Sequence, residues 1–264
     1  MLLQEKCPAL SRNRIKAEIM AGNVLVNDVV NDKPGSLIDP EADVHLRKPD
    51  NPYVSRGGLK LAAALKDLSI TVKDLVVLDV GASTGGFTDC LLQNESRHVY
   101  ALDVGYGQLD YKLRQDARVT VMERFNIRDL DISHLDVIPD IAVIDVSFIS
   151  LAKVIPVLAE LNIPEILALV KPQFEVGRTD ADKGKGVIRD PNLHQKVIFD
   201  TAIHFSNTGY CARNLTHSRY PGPKGNIEYF IHLAKTHLEM CICTDKMELL
   251  IKNVVDKAQQ EFNP

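Results

Sequence analysis

Short blocks of consecutive apolar residues alternate along most of this 264-residue chain with longer stretches in which apolar residues recur every three or four positions. The runs at 75–80, 98–103, 119–122, 141–147 and 165–170 are the length of strands and apolar almost throughout, the pattern of strands buried on both faces. Helical periodicity fills the segments near 56–68, 86–95, 108–116, 149–160 and 191–206. Such alternation predicts an α/β fold with a parallel, doubly wound sheet. Tyr210 to Thr216 and Glu228 to Leu233 read as two more strands joined through Pro221-Gly-Pro-Lys-Gly225, and 247–262 as a short amphipathic helix or frayed tail.

The first fifty residues follow a different logic. Ser11 is placed to cap a helix in which Ile15 and Ile19 share one face and Arg12 and Lys16 another, and Gly22 ends it. Val24 to Asp28 reads as a short strand and turn, Lys33-Pro-Gly35 as a second turn, and Ala42 to Leu46 as another short strand. The expected organisation is a small α/β module over 1–48, a turn-rich linker over 49–54, a large domain over 55–240 and a tail over 241–264.

Composition narrows the classes. A chain with 45% hydrophobic and 25% charged residues is ordinary for a globular protein, and no apolar run approaches a membrane span. The N-terminus is too short and polar for a signal peptide, so a cytoplasmic protein is expected. Cys7, Cys90, Cys211, Cys241 and Cys243 are odd in number and lack the paired spacing of a zinc site, so reduced thiols and no bound metal are expected. A formal net charge of −4 confines any nucleic-acid contact to a local patch, and Lys6, Arg12, Arg14 and Lys16 supply one near the N-terminus.

The candidate chemistry begins where the run Val77-Leu-Asp-Val80 meets Gly81-Ala-Ser-Thr-Gly-Gly-Phe-Thr-Asp89. This is a glycine turn between strand and helix, of the kind that lets backbone approach a nucleotide cofactor. Its glycines do not have the spacing of a pyrophosphate fingerprint, whereas S-adenosylmethionine has no phosphate and suits small residues with hydroxyls, here Ser83 and Thr84. Asp103, about twenty residues past the loop, is placed to accept a ribose diol. Spacing alone leaves NAD open at that position. Ligands bind beyond the carboxyl ends of strands in such sheets, which singles out Asp145 and Lys171, with Lys60 on the preceding helix and Glu228 at the start of the final strand. Asn126 and Asp129, after the third strand, are placed either for an adenine or for helix capping.

Six blocks carry a resemblance: Ser55-Arg-Gly-Gly-Leu-Lys-Leu61, Gly81 to Asp89, Asp103-Val-Gly-Tyr-Gly-Gln-Leu109, Asp145-Val-Ser-Phe-Ile-Ser-Leu151, Lys171-Pro-Gln-Phe-Glu175 and Gly225-Asn-Ile-Glu228. Together they resemble the TlyA/hemolysin-A family of ribosomal RNA methyltransferases, from about residue 9 to 235. Ser11-Arg12 followed by Ala21-Gly-Asn-Val-Leu-Val-Asn27 is similar to the alpha-L RNA-binding motif of a small-subunit ribosomal protein. The resemblance implies a Rossmann-like domain of the FtsJ type and a Lys60, Asp145, Lys171, Glu228 tetrad that methylates the ribose 2′-hydroxyl of a ribosomal RNA cytidine. It implies S-adenosylmethionine held by Gly81, Ser83, Thr84, Gly85, Gly86, Phe87, Asp103, Asn126 and Asp145, and RNA held by Arg12, Arg14, Lys16 and Arg56. Lys171 is the expected base. Only ten residues precede Ser11 where relatives carry a longer leader, so a shortened first helix is expected. The polar stretch from Gly177 to Gly186 is a further candidate for RNA contact or a plain solvated loop. A non-catalytic RNA-binding or ribosome-assembly factor, an NAD-dependent oxidoreductase and a membrane-active haemolysin are the rival readings.

Overall fold

The computed structural model describes residues 3, 5, 12–20, 23–46, 51–147, 149–176, 186–235 and 244–262. Ser11, Gly22, Cys7, Cys241, Cys243, residues 47–50, which include the start of the expected linker, and residues 177–185 of the polar stretch lie outside the described residues. The chain divides into two compact units, residues 1–52 and 53–264.

In the first unit, helix α1 (Arg12–Met20) precedes a three-stranded antiparallel sheet of β1 (Val24–Val26), β2 (Val29–Val30) and β3 (Val44–Leu46), in the order β2-β1-β3. The sequence showed β1 and β3, but β2 emerges only as the return arm of a two-residue hairpin. Asn27 and Asp28 both adopt positive φ, 49° and 63°, which matches the twist such a turn requires. Asn27 Oδ1 also accepts from the Asp43 amide at 2.8 Å, tying the turn to the third strand. Leu3, Ile15, Val24, Ala42 and Val44 form the small core.

The second unit is built on seven strands: β4 (Val76–Val80), β5 (His98–Asp103), β6 (Val119–Glu123), β7 (Ile141–Ile144), β8 (Glu165–Val170), β9 (Tyr210–His217) and β10 (Tyr229–Lys235). Their order is β6-β5-β4-β7-β8-β10-β9. Helices α2 (Arg56–Asp67) and α3 (Gly86–Gln93) pack one face, where Leu61, Leu65 and Leu91 meet Val77, Val99, Val143 and Leu169. Helices α5 (Ile155–Glu160), α7 (Pro191–Ser206) and α8 (Thr244–Phe262) cover the other, where Leu158, Ile198 and Val255 meet Leu78, Leu102, Ile144 and Val170. Neighbouring strand residues such as Val77 and Leu78 thus serve opposite cores, which is why the central strands are apolar at nearly every position. Between these lie the short helices α4 (Tyr111–Arg114), capped by Asp110, and α6 (Pro172–Glu175).

Four expectations need correction. The sheet is not parallel throughout: β10 runs antiparallel to both β8 and β9, because residues 218–228 are too short to carry a crossover helix and must return as a hairpin. The run at 141–147 is strand only to Ile144, after which Asp145 turns out of the sheet, and the helix expected over 149–160 is a 3₁₀ turn (Leu151–Lys153) followed by α5. Cys90 is free and buried, but Cys211 is disulfide-bonded; cysteine spacing along the chain does not say which sulfurs the fold brings together.

Candidate active site

The five parallel strands that adjoin one another from β6 to β8 end at the same edge of the sheet. Gly81 and Asp145 follow β4 and β7, Asp103 ends β5, and Lys171 follows β8. Because β10 is reversed, its start arrives at that edge too: Tyr229 pairs with Val170, which brings the preceding Glu228 level with Lys171.

At the glycine turn, Gly81 has φ +90° and a Cβ there would sit 2.5 Å from the Asp145 carbonyl oxygen, so only glycine lets the ends of β4 and β7 come this close. Asp103 fixes the next part of the turn, accepting from the Ser83 amide at 2.8 Å through Oδ2 and from the Gly105 amide at 2.6 Å through Oδ1. Gly86 opens α3 against the Ser55-Arg-Gly-Gly segment; a Cβ at Gly86 would lie 2.1 Å from Ser55 Oγ. The Val54 amide donates to Asp89 Oδ2 at 2.8 Å, so two glycine-rich blocks far apart in sequence close on each other as one contact. That contact aims α2, and with it Lys60, at the sheet edge.

A cavity of about 530 Å³ opens between these elements, lined by Arg56, Lys60, Gly81, Ser83, Thr84, Gly86, Phe87 and Asp145 among the residues singled out in the sequence, and by Pro221, Gly222, Lys224 and Gly225 across from them. Two lysine–acid pairs each bring one member to its wall, Lys60 and Asp145, while their partners Glu228 and Lys171 are not among the lining residues. Lys60 Nζ donates to Glu228 Oε2 at 2.6 Å, and Gln173 Nε2 donates to Glu228 Oε1 at 3.0 Å. Lys171 Nζ lies 2.5 Å from Asp145 Oδ1 and donates to Ser147 Oγ at 3.1 Å. The Lys171–Asp145 contact is one of charge, since Asp145 Oδ1 receives no aligned hydrogen bond.

The remaining candidates fall elsewhere. Gly85 faces the Leu109 and Leu113 side chains rather than the cavity, and Asn126 caps a 3₁₀ turn by accepting from the Arg128 amide at 3.1 Å. Arg12 and Lys16 are exposed on α1 and line a separate groove of the first unit; of Arg14 only the backbone is described. Among the described residues no cluster of His, Cys, Asp or Glu is placed to hold a metal, and no helix is long and apolar enough to cross a membrane.

Two groups escaped the sequence reading. Gln173 is the second hydrogen-bond donor to Glu228, and nothing in its spacing marks it. Asp79 is wholly buried within β4; it accepts from Thr88 Oγ1 at 2.6 Å through Oδ2, while Oδ1 has no partner. Burial, aided by the nearby Asp145 and Asp103 carboxylates, pushes the Asp79 carboxyl up to about 7. The available signal was an acid flanked on both sides by apolar strand residues, two positions before the turn glycine.

Counted from β4, the strand order is 3-2-1-4-5-7-6, the dinucleotide-fold order with one antiparallel strand slipped in before the last. That order, the glycine turn and an acid closing the second strand define a Rossmann-like protein built around a nucleoside cofactor. The chain belongs to the FtsJ-like methyltransferase family, whose model matches residues 53–235. YqxC of Bacillus subtilis is 48% identical over 238 residues, covering 88% of this chain and 84% of its own. The 16S/23S rRNA (cytidine-2′-O)-methyltransferase TlyA of Mycobacterium tuberculosis is 38% identical over 94% of this chain and 93% of its own. A solved chain from Streptococcus thermophilus superposes with a TM-score of 0.76 at 41% identity, covering 99% of this chain and 94% of that one.

The cofactor of a methyltransferase of this class is S-adenosylmethionine, and the residues present fit it. The cavity is of ligand size, its glycine wall admits close backbone approach at Gly81, and Asp103 is only partly buried at the strand end. When bound, that cofactor supplies a sulfonium-linked methyl group open to displacement by an oxygen nucleophile.

Proposed function

We propose that this protein methylates the ribose 2′-hydroxyl of a cytidine in ribosomal RNA, with Lys60, Asp145, Lys171 and Glu228 as its catalytic tetrad. The observation that carries this reading is the meeting of the pairs Lys60–Glu228 and Lys171–Asp145 beside the glycine turn. A ribose hydroxyl is a weak nucleophile, so the chain must align it and take its proton as the new bond forms. Lys171 is the group assigned to that proton. Its ammonium is steadied from two sides by Asp145 and Ser147. Lys60 reaches the cavity from α2 and is held by Glu228 to position the ribose.

For the cofactor, Gly81, Ser83, Thr84, Gly86 and Phe87 form the wall, with Gly85 shaping the turn behind them. Asp103 takes the ribose diol, and Asn126, from the 3₁₀ turn it caps outside the cavity lining, is the candidate for the base. The first unit serves as an alpha-L-type RNA-binding module through Arg12, Arg14 and Lys16, and Arg56 meets RNA at the cavity. A ribosomal substrate makes the cytoplasm the place of action. The name borne by the Mycobacterium tuberculosis relative supports the choice of cytidine and of ribosomal RNA.

The test is transfer of labelled methyl from S-adenosylmethionine to ribosomes, separate subunits and protein-free ribosomal RNA, followed by mapping of 2′-O-methylated nucleotides. Incorporation at a cytidine that disappears in Lys171→Ala is expected. A wild-type protein that binds the cofactor yet labels none of these substrates would overturn the reading in favour of an assembly factor.

A further inference from the structure

Most of the charge around the cavity cancels. Lys60 is paired with Glu228 and Asp145 with Lys171. Arg56 and Lys224 also line the cavity, both are exposed, and neither side chain makes a hydrogen bond or ion pair with any described residue. Among the described residues the rim therefore carries two uncompensated cations, on a chain whose formal net charge is −4.

The way Lys224 is presented adds a second, independent observation. It sits at the tip of the loop between β9 and β10 with φ 58° and ψ 16°, left-handed backbone that favours glycine or asparagine over lysine. The loop around it is pinned. Gly222 passes so near Glu228 that a Cβ would lie 2.1 Å from Oε1, the Gly222 amide donates to the Asn226 carbonyl at 2.8 Å, and Asn226 Nδ2 donates to the Gly186 carbonyl at 2.9 Å. A residue ill-suited to its backbone, held by a loop built on a catalytic candidate, is the pattern of strain retained where a side chain is needed.

We infer that Arg56 and Lys224 form a two-point clamp for a phosphodiester of the RNA strand beside the methyl-accepting ribose, an inference that rests on the RNA reading above. A ribose entering this cavity brings a phosphodiester on either side of it. Arginine grips such an oxyanion through its planar fork and lysine as a point charge. Both side chains are exposed where they line the cavity, whereas the Lys60 ammonium is buried and already neutralised.

Arg56→Gln, Lys224→Asn, the double variant and Lys224→Arg test the clamp; asparagine is neutral and accepts left-handed backbone, so Lys224→Asn is expected to keep the wild-type melting midpoint. Binding of protein-free ribosomal RNA is measured across a series of salt concentrations, alongside titration with S-adenosylhomocysteine. Each neutral variant is expected to flatten the slope of log affinity against log salt by about 0.7–0.9, the double by about twice that, and Lys224→Arg to restore it. The RNA KM is expected to rise more than kcat falls, with S-adenosylhomocysteine affinity within about twofold of wild type. Unchanged salt slopes overturn the clamp while leaving the reaction intact. Unchanged slopes with a tenfold loss of S-adenosylhomocysteine affinity also overturn it, by assigning the cations to the cofactor carboxylate. A wild-type protein with no salt-dependent RNA binding and no methyl transfer removes the RNA reading and the clamp together.

Discussion

The two lysine–acid pairs use the same side-chain types and are built to opposite ends. Glu228 has no exposed side-chain surface, takes hydrogen bonds from both Lys60 and Gln173, and is roofed by Gly222. Asp145 keeps 23% of its side-chain surface exposed and touches Lys171 by charge without an aligned hydrogen bond. A sealed pair with its lone pairs satisfied is fixed in geometry, because breaking it strands a charge away from water. The second pair differs at its acid, since Lys60 and Lys171 are equally buried, each with 11% of its side-chain surface exposed. The contrast matches the proposed division of labour, with Lys60–Glu228 positioning and Lys171–Asp145 handling the proton.

Lys171→Met breaks the reactive side of this contrast most directly. Methyl transfer is expected to fall by about 10²–10⁴-fold, the usual range for losing a positioned proton acceptor, while the cofactor titration and the melting midpoint stay near wild type. Turnover above a tenth of wild type would remove Lys171 from its role.

Glu228→Ala attacks the sealed pair. It should destabilise the fold by about 3–5 kcal/mol in urea unfolding, because Lys60 is left buried without its partner. Combining Lys60→Met with Glu228→Leu is expected to recover much of that stability and none of the activity; recovered activity would show that the pair only holds the fold.

Asp79 is a third buried acid in the same region, and it has no lysine. The unfolded chain ionises it near 4, whereas the folded chain holds its proton up to about 7, so wild-type stability should fall as pH rises between those values and level off above. Buried His194, its imidazole held below the ordinary range by burial, acts with the opposite sign by weakening the fold as pH drops below about 6.5. The informative quantity is therefore the difference in melting midpoint between wild type and Asp79→Asn, which should change steadily from pH 4 to 7. A constant difference would mean that Asp79 titrates normally.

The smallest expected effect is that of Gln173→Ala. Loss of one hydrogen bond to a carboxylate should weaken the fold by about 1–3 kcal/mol, toward the lower end because Gln173 Oε1 is itself buried without a partner. If this variant lowers kcat with no change in unfolding, Gln173 acts on the ribose rather than on Glu228.

Much of this architecture is local and was legible without coordinates. Runs of strand length that are apolar almost throughout mark strands buried on two faces, the glycines at 81 and 86 mark close backbone approaches, and acids and lysines placed just past the strands mark the candidate site's edge. Each of these signals depends on residues within a few positions of one another. Tertiary structure decided the rest. Lys60 and Glu228 are 168 positions apart, and they meet only because β10 inserts in reverse between β8 and β9. The Gln173 contact and the orphaned oxygen of Asp79 are likewise set by what the fold packs around them. Periodicity records which way a residue faces, but the order of strands decides what it faces.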